Sequence, residues 1–228
     1  MKQAAKVKRH LEAEGESRPE PALVPQLPEP FASWFAQRGW RPHAHQLQLL
    51  KLAEDRRDTL LIAPTGAGKT LAGFLPSLVD LAARHPAKRA RSIHTLYVSP
   101  LKALAVDIAR NLSDPVAEMK LPITLETRTG DTPPARRARQ RQLPPDILLT
   151  TPEQIALMLS HPDAAHLFGS LHMVVLDELH ALASSKRGDL LSLDLARLRS
   201  LSPELTAIGL SATVTRPSEL ADHLVHQG

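Results

Sequence analysis

A glycine-rich segment over residues 63–70, with the sequence APTGAGKT, carries residue types that can bind a triphosphate. Its two glycines allow the backbone to curl so that amide N–H groups point inward at phosphate oxygens. Lys69 would place its charge on the β- and γ-phosphates, and Thr70 would offer a hydroxyl to Mg²⁺. The general pattern begins with Gly, whereas this segment begins with Ala63, a residue small enough to fit. The segment therefore predicts a nucleotide phosphate-binding loop, with the phosphate contacts Thr65, Gly66, Ala67, Gly68, Lys69 and Thr70.

Two acidic residues, Asp177 and Glu178, follow the apolar run at residues 174–176. Ligands gather at the carboxyl ends of the strands in a parallel sheet, so we expect Asp177 beside the phosphate loop, holding Mg²⁺ through water. Glu178 could polarise the water that attacks the γ-phosphate. A strand that ends in Asp-Glu is common, and the chemistry is predicted here because the phosphate loop accompanies it.

The elements that must position these residues alternate between strand and helix along the chain. The strand candidates are residues 59–63, 94–99, 124–128, 147–150, 173–176 and 207–210. The helix candidates are residues 31–38, 45–55, 69–81, 102–112, 135–141, 152–160, 190–201 and 218–225. Such alternation predicts an α/β fold with a mostly parallel central sheet and helices on both faces.

The first 28 residues are polar and then rich in proline, which predicts a flexible N-terminal arm. Residues 29–228 show no internal repeat and no obvious boundary, so we expect them to form one domain. In the short helix that opens it, Phe31, Trp34 and Phe35 share one face.

Composition excludes several classes of protein. Of 228 residues 43% are hydrophobic, enough for a sizeable core, and the absence of Cys excludes disulfides and Cys-ligated zinc. No apolar run reaches the roughly 18 residues that span a membrane, and residues 1–16 lack the apolar middle of a signal peptide. We therefore expect a soluble, cytoplasmic protein with no membrane partner. His43 and His45 are interpreted as loop residues, not metal ligands.

Positive charge is concentrated in one part of the chain. The net charge is +4, but residues 84–142 contain twelve Lys or Arg and only five Asp or Glu. This asymmetry is a weak indication of a polyanionic partner. Within it, the cluster Arg136, Arg137, Arg139 and Arg141 could flank a nucleic-acid strand or could equally be a solvated helix face.

The Asp-Glu-Leu-His sequence at residues 177–180, together with the phosphate loop, resembles the DExH-box helicases of superfamily 2. Five further segments resemble that family's motifs in the family's order: residues 41–46, 99–105, 129–132, 150–153 and 211–213. The long runs LYVSPLKALAVDIARNL and VVLDELHALASSKRGDLLSLDLARL are similar to the Lhr-type (large helicase-related) group. Within that group, the bacterial branch associated with DNA ligase is the nearest resemblance.

The resemblance implies a first RecA-like motor domain that uses ATP and Mg²⁺ and moves 3′-to-5′ along a single strand. It implies the catalytic residues Lys69, Asp177, Glu178 and His180, and the metal-binding residues Thr70 and Asp177. Arg41 and Gln46 would bind the nucleotide, Gln46 through the adenine edge. The implied nucleic-acid contacts are Pro100, Lys102, Arg128, Thr129, Gly130, Thr150 and Thr151. Ser211, Ala212 and Thr213 would couple hydrolysis to strand movement by linking Glu178 or His180 to the strand-binding face.

The resemblance also implies partners. We expect single-stranded or tailed duplex DNA as the substrate, because the ligase-associated branch indicates repair. RNA and RNA–DNA hybrids remain alternative substrates. A DNA ligase and a nuclease of the same pathway are further candidate partners. A second motor domain is expected to be missing from the chain, so that these residues alone bind Mg-ATP weakly, hydrolyse it slowly and do not unwind duplexes. Residues 185–188 are expected to form a surface loop near nucleic acid or that second domain.

Two other functions compete with a motor. A nucleic-acid-binding module with little turnover would share the contact motifs. A small-molecule kinase would share only the phosphate loop and would leave residues 177–180 and 211–213 unexplained. The group that covers the adenine face also stays open, between Arg41 and the aromatic residues Phe31, Trp34, Phe35 and Trp40.

Overall fold

A computed structural model describes residues 9–12, 26–88, 91–183 and 185–224. Its centre is a sheet of seven parallel strands in the order β1-β2-β7-β6-β3-β5-β4. The strands are β1 (Arg9–Glu12), β2 (Thr59–Ile62), β3 (Thr95–Val98), β4 (Leu125–Arg128), β5 (Ile147–Thr150), β6 (Met173–Leu176) and β7 (Thr206–Ser211). The predicted α/β class with a parallel sheet is confirmed, and all six strand candidates form.

Ten helices connect the strands within the described residues. They are α1 (Phe31–Gln37), α2 (Ala44–Glu54), α3 (Lys69–Ala83), α4 (Lys102–Glu118), α5 (Pro134–Gln142), α6 (Pro152–Leu159), α7 (Ala164–Phe168), α8 (Leu179–Ala183), α9 (Lys186–Leu201) and α10 (Pro217–Asp222). None of them is long and apolar enough to cross a membrane.

Each central strand is buried on both faces, as a parallel sheet between two helical layers requires. Alternate residues of one strand enter different cores: Leu61 faces the layer of α1 to α4, whereas Leu60 and Ile62 face the layer of α6 to α10. Helix α5 covers the β4 edge and buries only Gln140. The predicted apolar face of α1 is confirmed, because Phe31, Trp34 and Phe35 are buried.

Several predicted boundaries are wrong. Helix α9 begins at Lys186, so the loop expected over residues 185–188 is the cap and first turn of a helix. Helix α4 continues through Pro115 to Glu118, because Pro115 and Val116 are buried in the core. His45 lies in the first turn of α2, as the helix candidate 45–55 predicts and contrary to its interpretation as a loop residue.

The helices α7 and α8 were not predicted. Strand β1 was not predicted either: it lies within the expected flexible arm and pairs in parallel with β2. Of the rest of that arm, residues 1–8 and 13–25 lie outside the described residues, and Leu27 is buried.

The strand order brings the predicted nucleotide-binding segments together at one edge of the sheet. Strand β7 lies between β2 and β6, pairing Ile62 with Ser211 and Leu176 with Gly209. The phosphate loop, the Asp177-Glu178 pair and the 211–213 segment therefore leave the same edge of the sheet side by side. Strand β6 also pairs with β3, whose carboxyl end leads to residues 99–105.

Candidate functional site

The phosphate loop connects the end of β2 to the start of α3. Gly66 and Gly68 have φ values of 85° and 72°, the left-handed region that favours glycine. A Cβ on Gly68 would also lie 3.0 Å from Gln46 Nε2. Lys69 is 9% exposed, and its Nζ donates to the carbonyl oxygens of Ala63 at 2.8 Å and Pro64 at 2.9 Å. The ammonium therefore lies inside the curl of the loop, bonded to neutral oxygens.

Asp177 follows the end of β6 and is 5% exposed. Its Oδ1 accepts a hydrogen bond of 2.9 Å from the Glu178 backbone N–H. Burial raises the pKa of this carboxyl, while the Tyr97 hydroxyl and the charge of Lys69 oppose the shift. Because the Lys69 ammonium donates to the loop carbonyls, Asp177 has a charged neighbour without a direct hydrogen bond to it.

Glu178, His180 and Ser211 form a continuous line from the acidic strand end to β7. Glu178 has a φ of 47°, which is unusual for a residue with a side chain and turns the chain sharply into α8. Its Oε2 is 3.4 Å from His180 Nε2, and His180 Nδ1 is 3.1 Å from Ser211 Oγ. The Ser211 hydroxyl donates to the Ala212 carbonyl at 2.9 Å, and the exposed Thr213 follows.

Tyr97 lies beneath these groups on β3, fully buried and stacked on Phe74 with ring centroids 4.4 Å apart. Its hydroxyl neighbours Asp177 and Thr70, yet has no partner in hydrogen-bonding geometry within the described residues. Burial raises the pKa of this phenol, so it stays a neutral donor. The buried Asp177 carboxyl and the Thr70 hydroxyl offer oxygen ligands of the kind that Mg²⁺ prefers, a cation that also retains waters.

Gln46 ties the predicted adenine segment to the phosphate loop. It is 2% exposed, its Oε1 accepts from the His43 N–H at 2.9 Å, and its Nε2 donates to the Gly68 carbonyl at 3.4 Å. The rings of His43 and His45 stack beside it at 5.1 Å, and burial followed by the His43 charge lowers the pKa of His45. No group of three or more His, Asp or Glu in the described part of the chain could hold a metal ion.

The candidates for covering adenine separate by exposure. Phe31, Trp34 and Phe35 belong to the core, whereas Trp40 is 54% exposed and Arg41 is exposed. The buried three cannot reach a ligand without unpacking α1, so Trp40 and Arg41 are the accessible candidates.

The predicted nucleic-acid contacts lie at the carboxyl ends of β3, β4 and β5 and at the starts of α4 and α6, a surface we call the nucleic-acid face. Lys102 donates to Asp131 at 2.6 Å, which joins the 99–105 segment to the 129–132 segment. The Thr129 N–H donates to Thr132 Oγ1 at 2.9 Å, and Gly130 is exposed at the tip of that turn.

The side chains of several predicted contacts are buried in the domain. Thr150 is fully buried, and its hydroxyl donates to the Arg128 carbonyl at 2.8 Å, so its side chain is not available to a strand. Arg128 is 6% exposed, and burial lowers its pKa, helped by the charges of Arg137 and Arg141. Pro100 is partly exposed, and Thr151 is buried as the N-cap of α6.

The four arginines of α5 fall into two classes. Arg136 and Arg139 pair with Glu126 at 3.2 Å and 2.6 Å. Arg137 Nη2 instead donates to the carbonyls of Thr129 at 3.2 Å and Gly130 at 2.6 Å. Arg141 is 3.9 Å from Asp163. The two alternatives left open for this cluster, contact with a nucleic-acid strand or a solvated helix face, must therefore be decided for each arginine separately.

Arg187 belongs to the segment 185–188 that was expected to form a loop near nucleic acid or a second domain, but it lies in the first turn of α9 and its partners were not predicted. Its Nη1 donates to the Pro100 carbonyl at 2.6 Å, and its Nε and Nη2 donate to the Glu153 carboxylate at 2.5 Å and 3.1 Å. It thereby contacts the residues before α4 and in the first turn of α6.

The sequence model of the DEAD/DEAH box helicase family matches residues 43–221 of this chain. The chain belongs to the DEAD/DEAH box helicase family. It is 45% identical over 207 residues to the Lhr helicase/probable uracil glycosylase of Mycolicibacterium smegmatis, covering 85% of this chain and 14% of that protein. It is 40% identical over 227 residues to the Lhr helicase/uracil glycosylase of Escherichia coli, covering 90% of this chain and 14% of that protein.

A solved structure extends the likeness to the fold. The Mycobacterium smegmatis helicase Lhr, bound to single-stranded DNA and AMP-PNP, superposes with a TM-score of 0.81 at 40% identity. The match covers 90% of this chain and 27% of that chain. The resemblance to Lhr-type helicases and the RecA-like fold are therefore confirmed, and the helicase domain spans about one seventh of the length of the two curated relatives.

Proposed function

We propose that this helicase domain is the ATP-binding motor of an Lhr-type DNA helicase that moves 3′-to-5′ along single-stranded DNA, in the cytoplasm and in DNA repair. The observation that carries the proposal is the shared sheet edge, where the phosphate loop, Asp177 and the line from Glu178 through His180 to Ser211 lie side by side. Further parts of the proposal are that full activity requires a second motor domain, and that a DNA ligase and a nuclease act in the same pathway.

Each residue at this edge has a role in ATP hydrolysis. The loop N–H groups and Lys69 bind the phosphates, and Lys69 exchanges its two carbonyl partners for phosphate oxygens. Thr70 and Asp177 would hold Mg²⁺, which would neutralise charge on the phosphates. Glu178 accepts a proton from the attacking water. His180 and Ser211 connect that carboxylate to β7 and the 211–213 segment.

The nucleic-acid face suits a strand held without reading its bases. The starts of α4 and α6 supply backbone N–H groups and the positive ends of helix dipoles, which bind phosphates of any sequence. The relative of known structure is described as bound to single-stranded DNA, and this supports DNA as the substrate proposed here.

The test is ATP turnover by the chain, measured with radiolabelled ATP, with and without an oligo(dT) strand. Glu178→Gln should lower turnover by about 10²–10⁴-fold, as loss of a general base does, and should retain the thermal shift produced by Mg-ATP. The matched control is Glu204→Gln, which removes an exposed carboxylate paired with Arg56, remote from the loop. Oligo(U) of equal length compares RNA with DNA.

Each outcome separates the competing functions. Turnover in Glu178→Gln equal to that of the unmodified chain contradicts a motor and favours a nucleic-acid-binding module with little hydrolysis. A chain that binds Mg-ATP but ignores every strand favours a small-molecule kinase. If oligo(U) stimulates ATP turnover more than oligo(dT) does, the substrate is RNA and not DNA.

A further inference from the structure

Arg187 is the point where three segments of this helicase domain meet. Its guanidinium makes a two-pronged contact with the Glu153 carboxylate and a third hydrogen bond to the Pro100 carbonyl. Glu153 lies in the first turn of α6, and Pro100 stands two residues before the start of α4. One side chain therefore fixes the spacing between two helix starts of the nucleic-acid face.

Helix α9, which carries Arg187, is joined rigidly to the catalytic strand end. Ser185 caps α9 by accepting from the Arg187 N–H at 3.3 Å, and its own hydroxyl donates back to the Leu182 carbonyl in α8 at 2.9 Å. A Cβ on Gly188 would lie 2.8 Å from the Ala183 carbonyl oxygen, so only glycine permits this approach of α9 to α8. Helix α8 itself starts immediately after Glu178.

Arginine is suited to this position. Its planar guanidinium can bind a carboxylate through two nitrogens and still donate from a third, whereas the Lys ammonium is a compact point charge. The contact with Arg187 lowers the pKa of Glu153 despite an opposing effect of burial, so Glu153 is ionised at neutral pH. Glu153 and the Pro100 carbonyl occupy three of the five N–H donors of Arg187, at least one on each nitrogen, and Glu153 pairs with its charge.

We infer that Arg187 is a positioning residue, which holds the starts of α4 and α6 at the spacing that binds successive phosphates and links this spacing to the Asp177-Glu178 strand end through α8 and α9. The inference rests on the proposed function, because it assigns Arg187 to the grip on the strand. It adds a route by which a shift at the nucleotide site can alter that grip.

The test compares Arg187→Lys with the unmodified chain, using fluorescent oligo(dT) binding, nucleotide binding and amide hydrogen exchange. Arg187→Lys should weaken oligo(dT) binding by about tenfold, leave Mg-ATP affinity unchanged, and lower exchange protection over residues 101–105 and 153–156 without any ligand. Arg197→Lys is the matched control, since Arg197 also joins α9 to α6, through the Leu159 carbonyl at 2.8 Å, but at the far end of α6. It should leave oligo(dT) binding unchanged.

A double-mutant cycle with Glu153→Gln separates positioning from general destabilisation. If the two residues act as one unit, Glu153→Gln should weaken binding by a similar factor and the double variant should show little additional loss. Losses that multiply, or an Arg187→Lys chain that keeps both its oligo(dT) affinity and its protection, overturn the inference and leave the proposed function intact. If the unmodified chain binds no strand but Arg187→Lys still loses protection, the proposed function fails while the structural link stands.

Discussion

The nucleotide site and the nucleic-acid face both lie at the carboxyl ends of the strands of one sheet, but their charged groups have different partners. At the nucleotide site, Lys69 contacts neutral carbonyls, Asp177 is buried, and the Tyr97 hydroxyl has no partner within the described residues. On the nucleic-acid face several charged groups pair with one another, as in Lys102 with Asp131 and Arg187 with Glu153.

The two regions should therefore differ in what a bound ligand supplies to them. The nucleotide site has separated charges and unused donors that a metal-bound triphosphate would complete. On the nucleic-acid face several charges already have internal partners, so its affinity should depend largely on where helix starts and backbone N–H groups lie. Substitutions should therefore remove ligand binding directly in the first region and act through position in the second.

Among the variants that separate these two regions, Lys69→Ala should show the largest effect, and it tests the nucleotide site. Loss of a charge aimed at the transferred phosphoryl group should lower ATP turnover by about 10²–10³-fold and abolish the thermal shift with Mg-ATP. Oligo(dT) binding without nucleotide should persist, because Lys69 does not lie on the nucleic-acid face. Lys51→Ala, on the exposed side of α2, is the control. An unchanged nucleotide shift in Lys69→Ala would contradict a triphosphate site in this loop.

Much of this arrangement could be predicted from residue types and their order. Short apolar strands followed by Gly-rich or acidic segments define both the parallel sheet and the edge where ligands bind, because local patterning determines each of them. Lys69, Asp177, Glu178 and Ser211 lie together for this reason. The two glycines of the phosphate loop show the expected left-handed backbone.

Contacts between distant segments could not be predicted in the same way. Arg187 and Pro100 are 87 residues apart, and no periodic pattern connects them. The loop expected over residues 185–188 includes Gly188, a residue type that weakens a helix by about 1 kcal/mol, yet the close approach of α9 to α8 requires glycine there. No sequence pattern singles out Tyr97, since only the pairing of β3 with β6 places its hydroxyl beside Asp177.

Asp194 lies buried on α9, the helix that carries Arg187, and its substitution gives the next largest effect. It is 1% exposed, and its Oδ2 has no hydrogen-bond partner within the described residues. Burial raises its pKa to about 7, with Arg197 opposing and Glu153 reinforcing the shift. The unfolded chain ionises this group near pH 3.8, so between about pH 4 and 7 the folded state binds the extra proton and stability falls as pH rises.

Asp194→Asn should therefore raise the free energy of unfolding at pH 8, by as much as about 4 kcal/mol, with the gain disappearing near pH 4. Urea unfolding at the two pH values measures this difference. Asp189→Asn, an exposed position on the same helix, should show no comparable pH dependence. A gain of equal size at both pH values would show that ionisation of Asp194 is not its cause.

The smallest expected effect distinguishes two arginines of α5 that differ in their partners. Arg137 donates only to carbonyls, which leave its charge uncancelled, whereas Arg139 pairs with Glu126. Arg137→Gln should weaken oligo(dT) binding a few-fold and reduce the slope of log affinity against log salt by about one unit, as loss of one phosphate contact does. Arg139→Gln removes the same formal charge but should change the slope little. Equal changes in the two variants would mean that net charge alone, and not the local contact at Arg137, determines how the face attracts a strand.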